Sequence, residues 1–242
     1  MTSDVPAPDH NGIARLAERV LVARTGSEPL VVAITGSVAS GKSTLAEHLS
    51  GHLAKKLTVE TISTDGFLFP NSVLEARDLM MRKGFPETFD RYAMAAAIHA
   101  VRTGPAVFPA HSHVIYDIDP ALARTITAPD VLILEGLGFA PLSQGERPST
   151  EPDLLVYLDA ETEHIEAWFL ERFMRFWHAA EHDPNSFYVR FRNMSEDEAR
   201  EFARIAVWDK INLPNLENHI LPLREHADVV VKKSRSHLLH VG

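Results

Sequence analysis

Residues 34–49 read ITGSVASGKSTLAEHL, and eight of them, GSVASGKS at 36–43, fit the pattern G-x-x-x-x-G-K-[S/T]. Each fixed position has a physical duty. The glycines (Gly36, Gly41) let the backbone curl until successive N–H groups face one anion, and the helix that follows adds its positive end. Lys42 can reach the β- and γ-phosphates of a nucleotide, and the Ser43 hydroxyl can ligate Mg²⁺. A chance match in a Gly/Ser turn is the bland explanation. The flanks oppose it. PLVVAIT at 29–35 is a short β-branched run, the signature of a strand buried on both faces, and 41–56 has the composition of a helix. A nucleoside triphosphate is implied, but not yet a reaction.

Working outward, TVETIST (58–64), DVLILEG (130–136), DLLVYLD (153–159) and ADVVVKK (227–233) are further short strands. Helical patterns cover 13–24, 92–103, 162–178 and 195–212, the last opening on SEDE, a capping-box signature. Strands alternating with helices predict an α/β three-layer fold of the P-loop NTPase type: a mostly parallel sheet, helices on both faces, and a ligand site at the carboxyl ends of the strands. With no internal repeat and no interdomain linker, 1–242 reads as one domain. Residues 1–12 are a loose lead-in, and 66–90 and 178–194 are insertions that build lid or substrate elements.

Composition narrows the partners. The chain has 242 residues, 45% hydrophobic and 24% charged, with a net charge of −9. That balance opposes binding to nucleic acid or to an anionic membrane surface. The absence of cysteine removes disulfides, Cys-zinc sites and thiol nucleophiles. Thirteen histidines invite a zinc reading, but no H-E-x-x-H spacing supports it. No apolar run has the length of a membrane span and the first ten residues lack the form of a signal peptide, so a cytoplasmic address is expected.

Two carboxylates emerge at the same sheet edge as the phosphate loop. Asp65 follows TVETIST, and Glu135 ends VLILE. Phosphoryl transfer needs one group to orient or deprotonate the acceptor and another to organise the metal. An Asp-Gly turn is the plain alternative for Asp65. An acid closing a buried apolar strand needs a partner, which favours a functional role for Glu135. Farther on, helical spacing puts Ile165, Trp168, Phe169, Arg172, Phe173 and Phe176 on one face. Arg172 would then interrupt an apolar stripe, and either a transferring phosphate or a structural carboxylate would satisfy it.

GSVASGKST, STDGFLFPN, RKGFPETFD, HSHVIYDI, LILEGL, DPNSFY, INLPNLENHILPLREHA and KSRSH, in this order over roughly 31–237, resemble the bacterial type I pantothenate kinases of the phosphoribulokinase/uridine kinase group. The resemblance implies a single kinase domain that moves the γ-phosphoryl group of ATP, with Mg²⁺, to the terminal hydroxyl of pantothenate, the first step toward coenzyme A. It implies Gly36, Ser37, Val38, Ala39, Ser40, Gly41, Lys42, Ser43 and Thr44 around the phosphates, with His237 beside the adenine. Asp65 matches the general base, Glu135 the acid near the metal, and Arg172 the lid arginine on the phosphates. His113, Tyr116, Phe169 and Asn215 match the pantothenate pocket. A small-molecule substrate and a homodimer are the expected partners, with no nucleic acid and no membrane.

The chain also departs from the family. Phe169, His111 and Phe191 stand where tyrosines are usual, and Glu47 replaces an arginine associated with inhibition by coenzyme A. The segment before the phosphate loop is also shorter than is typical. The phosphoryl-transfer set is intact while the acceptor set is altered, so another small alcohol, a sugar or a nucleoside, competes with pantothenate as acceptor. A nucleotide-binding regulator without transfer activity would call for a damaged catalytic set, which this sequence lacks.

Overall fold

The computed structural model describes residues 10–112, 114–184 and 186–242. Helix α1 (His10–Ala23) leads to strand β1 (Leu30–Gly36), the phosphate loop, helix α2 (Lys42–Leu53) and strand β2 (Val59–Ser63). Short 3₁₀ turns and helix α3 (Asn71–Ala76) fill the stretch before helix α4 (Arg91–Thr103). Strands β3 (Pro105–Phe108), β4 (His111–Ser112), β5 (Asp117–Ile118) and β6 (Arg124–Thr127) form two small antiparallel pairs, β4–β5 nested inside β3–β6. Then come β7 (Val131–Glu135), β8 (Leu154–Asp159), α5 (Thr162–Ala179), α6 (Glu196–Phe202), α7 (Leu213–Asn215), β9 (Val229–Lys233) and β10 (Leu239–Val241).

The main sheet runs β10-β9-β8-β1-β7-β2, parallel except for β10. Alternation along the strands divides the core in two. Val31, Ala33, Leu132, Leu134 and Leu155 face one layer with Ile98, Val101 and Ile165 of α4 and α5. Leu30, Val32, Ile34, Val131 and Ile133 face the other with α1 and α2, through Leu16, Val20, Leu45 and Leu49. Strands buried on both faces read as continuous apolar runs for this reason. The five strands expected from sequence are all present; β10 and the four short strands are additional.

An aspartate precedes each of three strands and fixes its neighbour. Asp130 accepts from the Thr58 N–H (2.8 Å), Asp153 from the Val31 N–H (2.7 Å) and Asp228 from the Leu155 N–H (2.7 Å). Arg24, Arg102 and Arg147 in turn pair with these carboxylates. Strand register is thus pinned at the amino ends, opposite the edge where Asp65 and Glu135 emerge.

The helix expected over 195–212 begins as predicted, with Ser195 and Glu198 closing a capping box. It does not continue as an α-helix. From Ala203 to Asn212 the turns widen to π-helix, so that the Leu213 N–H reaches back to the Trp208 carbonyl, and a second π turn covers Leu216–Ile220. Pro214 has no N–H to donate, which removes one rung of a regular ladder here. Among the described residues no helix is long and apolar enough to cross a membrane.

Candidate active site

The phosphate loop hangs between β1 and α2. Gly41 caps α2 with φ +99°, a conformation in which a side chain would be strained and would meet the Lys233 ammonium at 2.8 Å. Lys42 Nζ donates to the Ser37 carbonyl (2.8 Å), as does Ser40 Oγ (2.8 Å), so the lysine folds back over its own loop. Lys233 of β9 donates to the Ser40 carbonyl (2.7 Å) and lies 4.3 Å above the Trp168 ring. Burial pushes Lys233 down to about 8.

The sheet edge brings the two acids to this loop. Register aligns Ile34 and Ser63 with Glu135 on either side. Gly136 extends the lacing: its N–H donates to the Ile34 carbonyl (3.0 Å) and its carbonyl accepts from Thr35 Oγ1 (3.1 Å). Its φ is +146°, and a Cβ there would meet Thr64 Oγ1 at 2.0 Å, so only glycine lets the ends of β2 and β7 approach. Asp65 sits in the 3₁₀ turn after β2, its N–H on Ser63 Oγ (3.3 Å).

Electrostatics tie the four charged groups together. Burial lowers Lys42, against the pull of the Glu135 and Asp65 carboxylates, while the Arg172 guanidinium adds to the lowering. Burial raises Glu135; Lys42 and the hydroxyls of Ser43 and Ser63 oppose this, and Asp65 reinforces it. Ser43, Glu47, Ser50, Thr61 and Glu135 line a hollow of about 290 Å³, which places Glu47 beside this centre. The side chains that line this hollow all offer oxygen, the ligand atom a hard cation such as Mg²⁺ prefers.

Arg172 differs from its sequence reading. The buried face of α5 carries Ile165, Phe169, Phe173, Met174 and Trp177, and Arg172 is exposed beside it, 5.5 Å over the Phe176 ring. It does not interrupt the apolar stripe, because the helix rolls by about one position relative to the face expected. Among the described residues it has no carboxylate partner, and its charge is felt at Lys42 and Tyr188.

The acceptor side is built from other elements. Tyr116 stacks on Phe187 (4.4 Å between centroids), and burial and the Asp65 charge raise its phenol. Asn215 is buried; its Nδ2 donates to the Gly84 carbonyl (3.0 Å) and its Oδ1 has no partner among the described residues. Phe169 packs against Trp208 and Phe173 at 5.8 and 6.3 Å. His111 lines a hollow with Ser63, Asp65 and Arg124. His113 lies outside the described residues. His237, with φ +65°, stacks on Trp168 at 5.0 Å.

Sequence reasoning passed over Lys83, Tyr188 and Lys233, and read Trp168 only as part of an apolar helix face. Lys83 and Lys233 stand in or beside the quoted motifs RKGFPETFD and KSRSH; a lysine among exposed charges gives no hint that its ammonium is enclosed.

The sequence pattern of the phosphoribulokinase/uridine kinase family matches residues 31–175. A pantothenate kinase of Streptococcus equi subsp. zooepidemicus is 42% identical over 215 residues, 86% of this chain and 70% of that protein. One from Streptococcus pneumoniae is 39% identical over 217 residues, 87% and 71% of the two chains. Among solved structures, a putative fructose transport system kinase from a Silicibacter species aligns with TM-score 0.67 and 24% identity over 90% of this chain and 98% of that one. D-Glycerate 3-kinase from Cryptococcus neoformans aligns with TM-score 0.64 and 16% identity over 95% and 98%. The two structures share the fold. With the sequence relatives they lead to one assignment: the chain belongs to the phosphoribulokinase/uridine kinase family and, within it, to the pantothenate kinases.

Proposed function

We propose that this protein phosphorylates the terminal hydroxyl of pantothenate with ATP, giving 4'-phosphopantothenate and ADP, the entry to coenzyme A, as a cytoplasmic homodimer. The observation that carries the chemistry is the convergence of Lys42, Glu135, Asp65 and Arg172 at one sheet edge. The loop amides and Lys42 hold the β- and γ-phosphates. Asp65 takes the proton of the acceptor hydroxyl as its oxygen bonds to the γ-phosphorus and the bond to the β–γ bridging oxygen breaks, leaving ADP. Arg172, without a carboxylate partner among the described residues and with its charge felt at Lys42, offsets charge on the migrating group. Mg²⁺, held by Ser43 with Glu135, would neutralise phosphate charge. Asn215 Oδ1 is a buried acceptor awaiting a donor, a role the amide N–H or a hydroxyl of pantothenate fills. His237 and Trp168 form an aromatic face for the adenine.

Incubation with ATP, Mg²⁺ and a panel of small alcohols, with mass analysis of products, tests the reading. Phosphopantothenate as the dominant product is expected. Turnover of a sugar or nucleoside with pantothenate inert would overturn the acceptor while leaving the kinase chemistry standing. Light scattering in the same buffer tests the dimer.

A further inference from the structure

Tyr116 is a bulky aromatic residue with φ +55°, in the left-handed region that such side chains avoid. A backbone held there persists only where surroundings over-determine it, and such positions gather at functional sites. The surroundings are specific. The Tyr116 carbonyl accepts from Lys83 Nζ (2.8 Å) and from Asn71 Nδ2 (2.9 Å), and Asn71 Oδ1 accepts from the same Lys83 Nζ (2.8 Å). The Asn71 N–H donates to Asp117 Oδ1 (2.9 Å), fastening the residue after Tyr116 as well. Lys83 also lies 4.2 Å over the Tyr116 ring, which stacks on Phe187. One lysine thus holds both the carbonyl and the ring of one tyrosine.

The third hydrogen of the Lys83 ammonium meets His111 Nε2 at 3.0 Å. An ammonium has three N–H donors, and Asn71, Tyr116 and His111 account for all three. His111 must then accept at Nε2. Nothing of Lys83 is left over to grip an acceptor molecule.

We infer that Lys83 is a positioning residue: with Asn71 and His111 it locks the strained turn that presents Tyr116 to the acceptor beside Asp65. The bland alternative is a lysine that binds the substrate directly. The kinetic arm of the inference rests on the pantothenate reading above; the structural arm does not.

The test measures both arms. In Lys83→Met, amide hydrogen exchange over 114–118 is expected to quicken at least about tenfold while the central strands stay protected, because only the local opening equilibrium changes. KM for pantothenate is expected to rise about 10–10²-fold, with kcat and KM for ATP within about threefold, as for a misplaced binding group. Tyr116→Ala should raise KM similarly, and the double variant should be no worse than Tyr116→Ala alone, since both changes remove one function. Unchanged exchange with KM effects that multiply would overturn the proposal and make Lys83 a direct ligand. If Lys83→Met does not fold, Asn71→Ala carries the same expectations at smaller amplitude. Should pantothenate prove inert in the unmodified protein, the proposed function fails, and hydrogen exchange alone still decides the clamp.

Discussion

The two halves of the site are built on different principles. The phosphate half hangs from three parallel strand ends, and its charged groups are set by backbone: a glycine-permitted loop, a helix start and a register that aligns Ile34, Glu135 and Ser63. The acceptor half is assembled from 3₁₀ turns, a two-residue hairpin pair, a widened helix and a ring of side-chain contacts among Asn71, Lys83, His111 and Tyr116. In the phosphate half, glycines at positive φ and a fixed register leave little room for substitution. Side-chain-fixed recognition depends on the network closing, here through the contact of His111 with Lys83.

Breaking the phosphate half should therefore cost most. Asp65 stands on the border between the halves, and Asp65→Asn, which keeps shape but cannot take a proton, is expected to lower kcat by about 10²–10⁴-fold with ATP affinity little changed. Collapse of ATP binding with kcat preserved would make Asp65 a metal or structural residue. Lys42→Ala should lower kcat/KM by about 10²–10³-fold in a folded protein, the scale of losing one preorganised charge contact; steady-state kinetics beside circular dichroism check it.

Changes on the acceptor side should be gentler. Phe169→Tyr adds a hydroxyl to a ring packed on Trp208, and a single hydrogen bond is worth about 0.5–1.5 kcal/mol. KM for pantothenate is expected to fall or hold, within about tenfold, and an increase beyond that would show that position 169 has become pure core.

The smallest effect is a titration. Lys233 is brought down to about 8 by burial, so its charge at the phosphate loop is present below that pH and lost above it. kcat/KM for ATP should decline about two- to fivefold as pH rises through about 8, and Lys233→Met should flatten the profile. Stability moves the other way. The unfolded chain keeps this proton to about 10.4, so between the two values the unfolded state binds more protons and folding becomes more favourable as pH rises. Urea titrations across that range measure it.

This difference in construction also governs what the sequence discloses. The central strands were legible because strands buried on both faces are continuous apolar runs, and the phosphate loop because its glycines have fixed spacing. Asp65 and Glu135 were legible as strand-end acids. The roll of α5 was not, since Trp168, Arg172 and Phe176 satisfy helical spacing as well as the true face through Phe169 and Phe173. Nor was the widening after Ala203, which the apolar spacing of the predicted helix does not register. The enclosure of Lys83 depends on contacts spanning 12, 28 and 33 residues of chain, which no local pattern reports.

The contact between Gly136 and Thr64 sets a ruler. With no room for even a methyl group between them, a side chain after Glu135 would push Thr64 away and disturb the paired ends of β2 and β7, from which Asp65 and Glu135 emerge. Under the roles proposed above, that spacing bears on how far the proton acceptor lies from the acid on the metal side. Any chain that keeps both acids at this separation by the same means is obliged to keep a glycine after the second one. The third letter of Leu-Glu-Gly is thus a statement of distance rather than of chemistry.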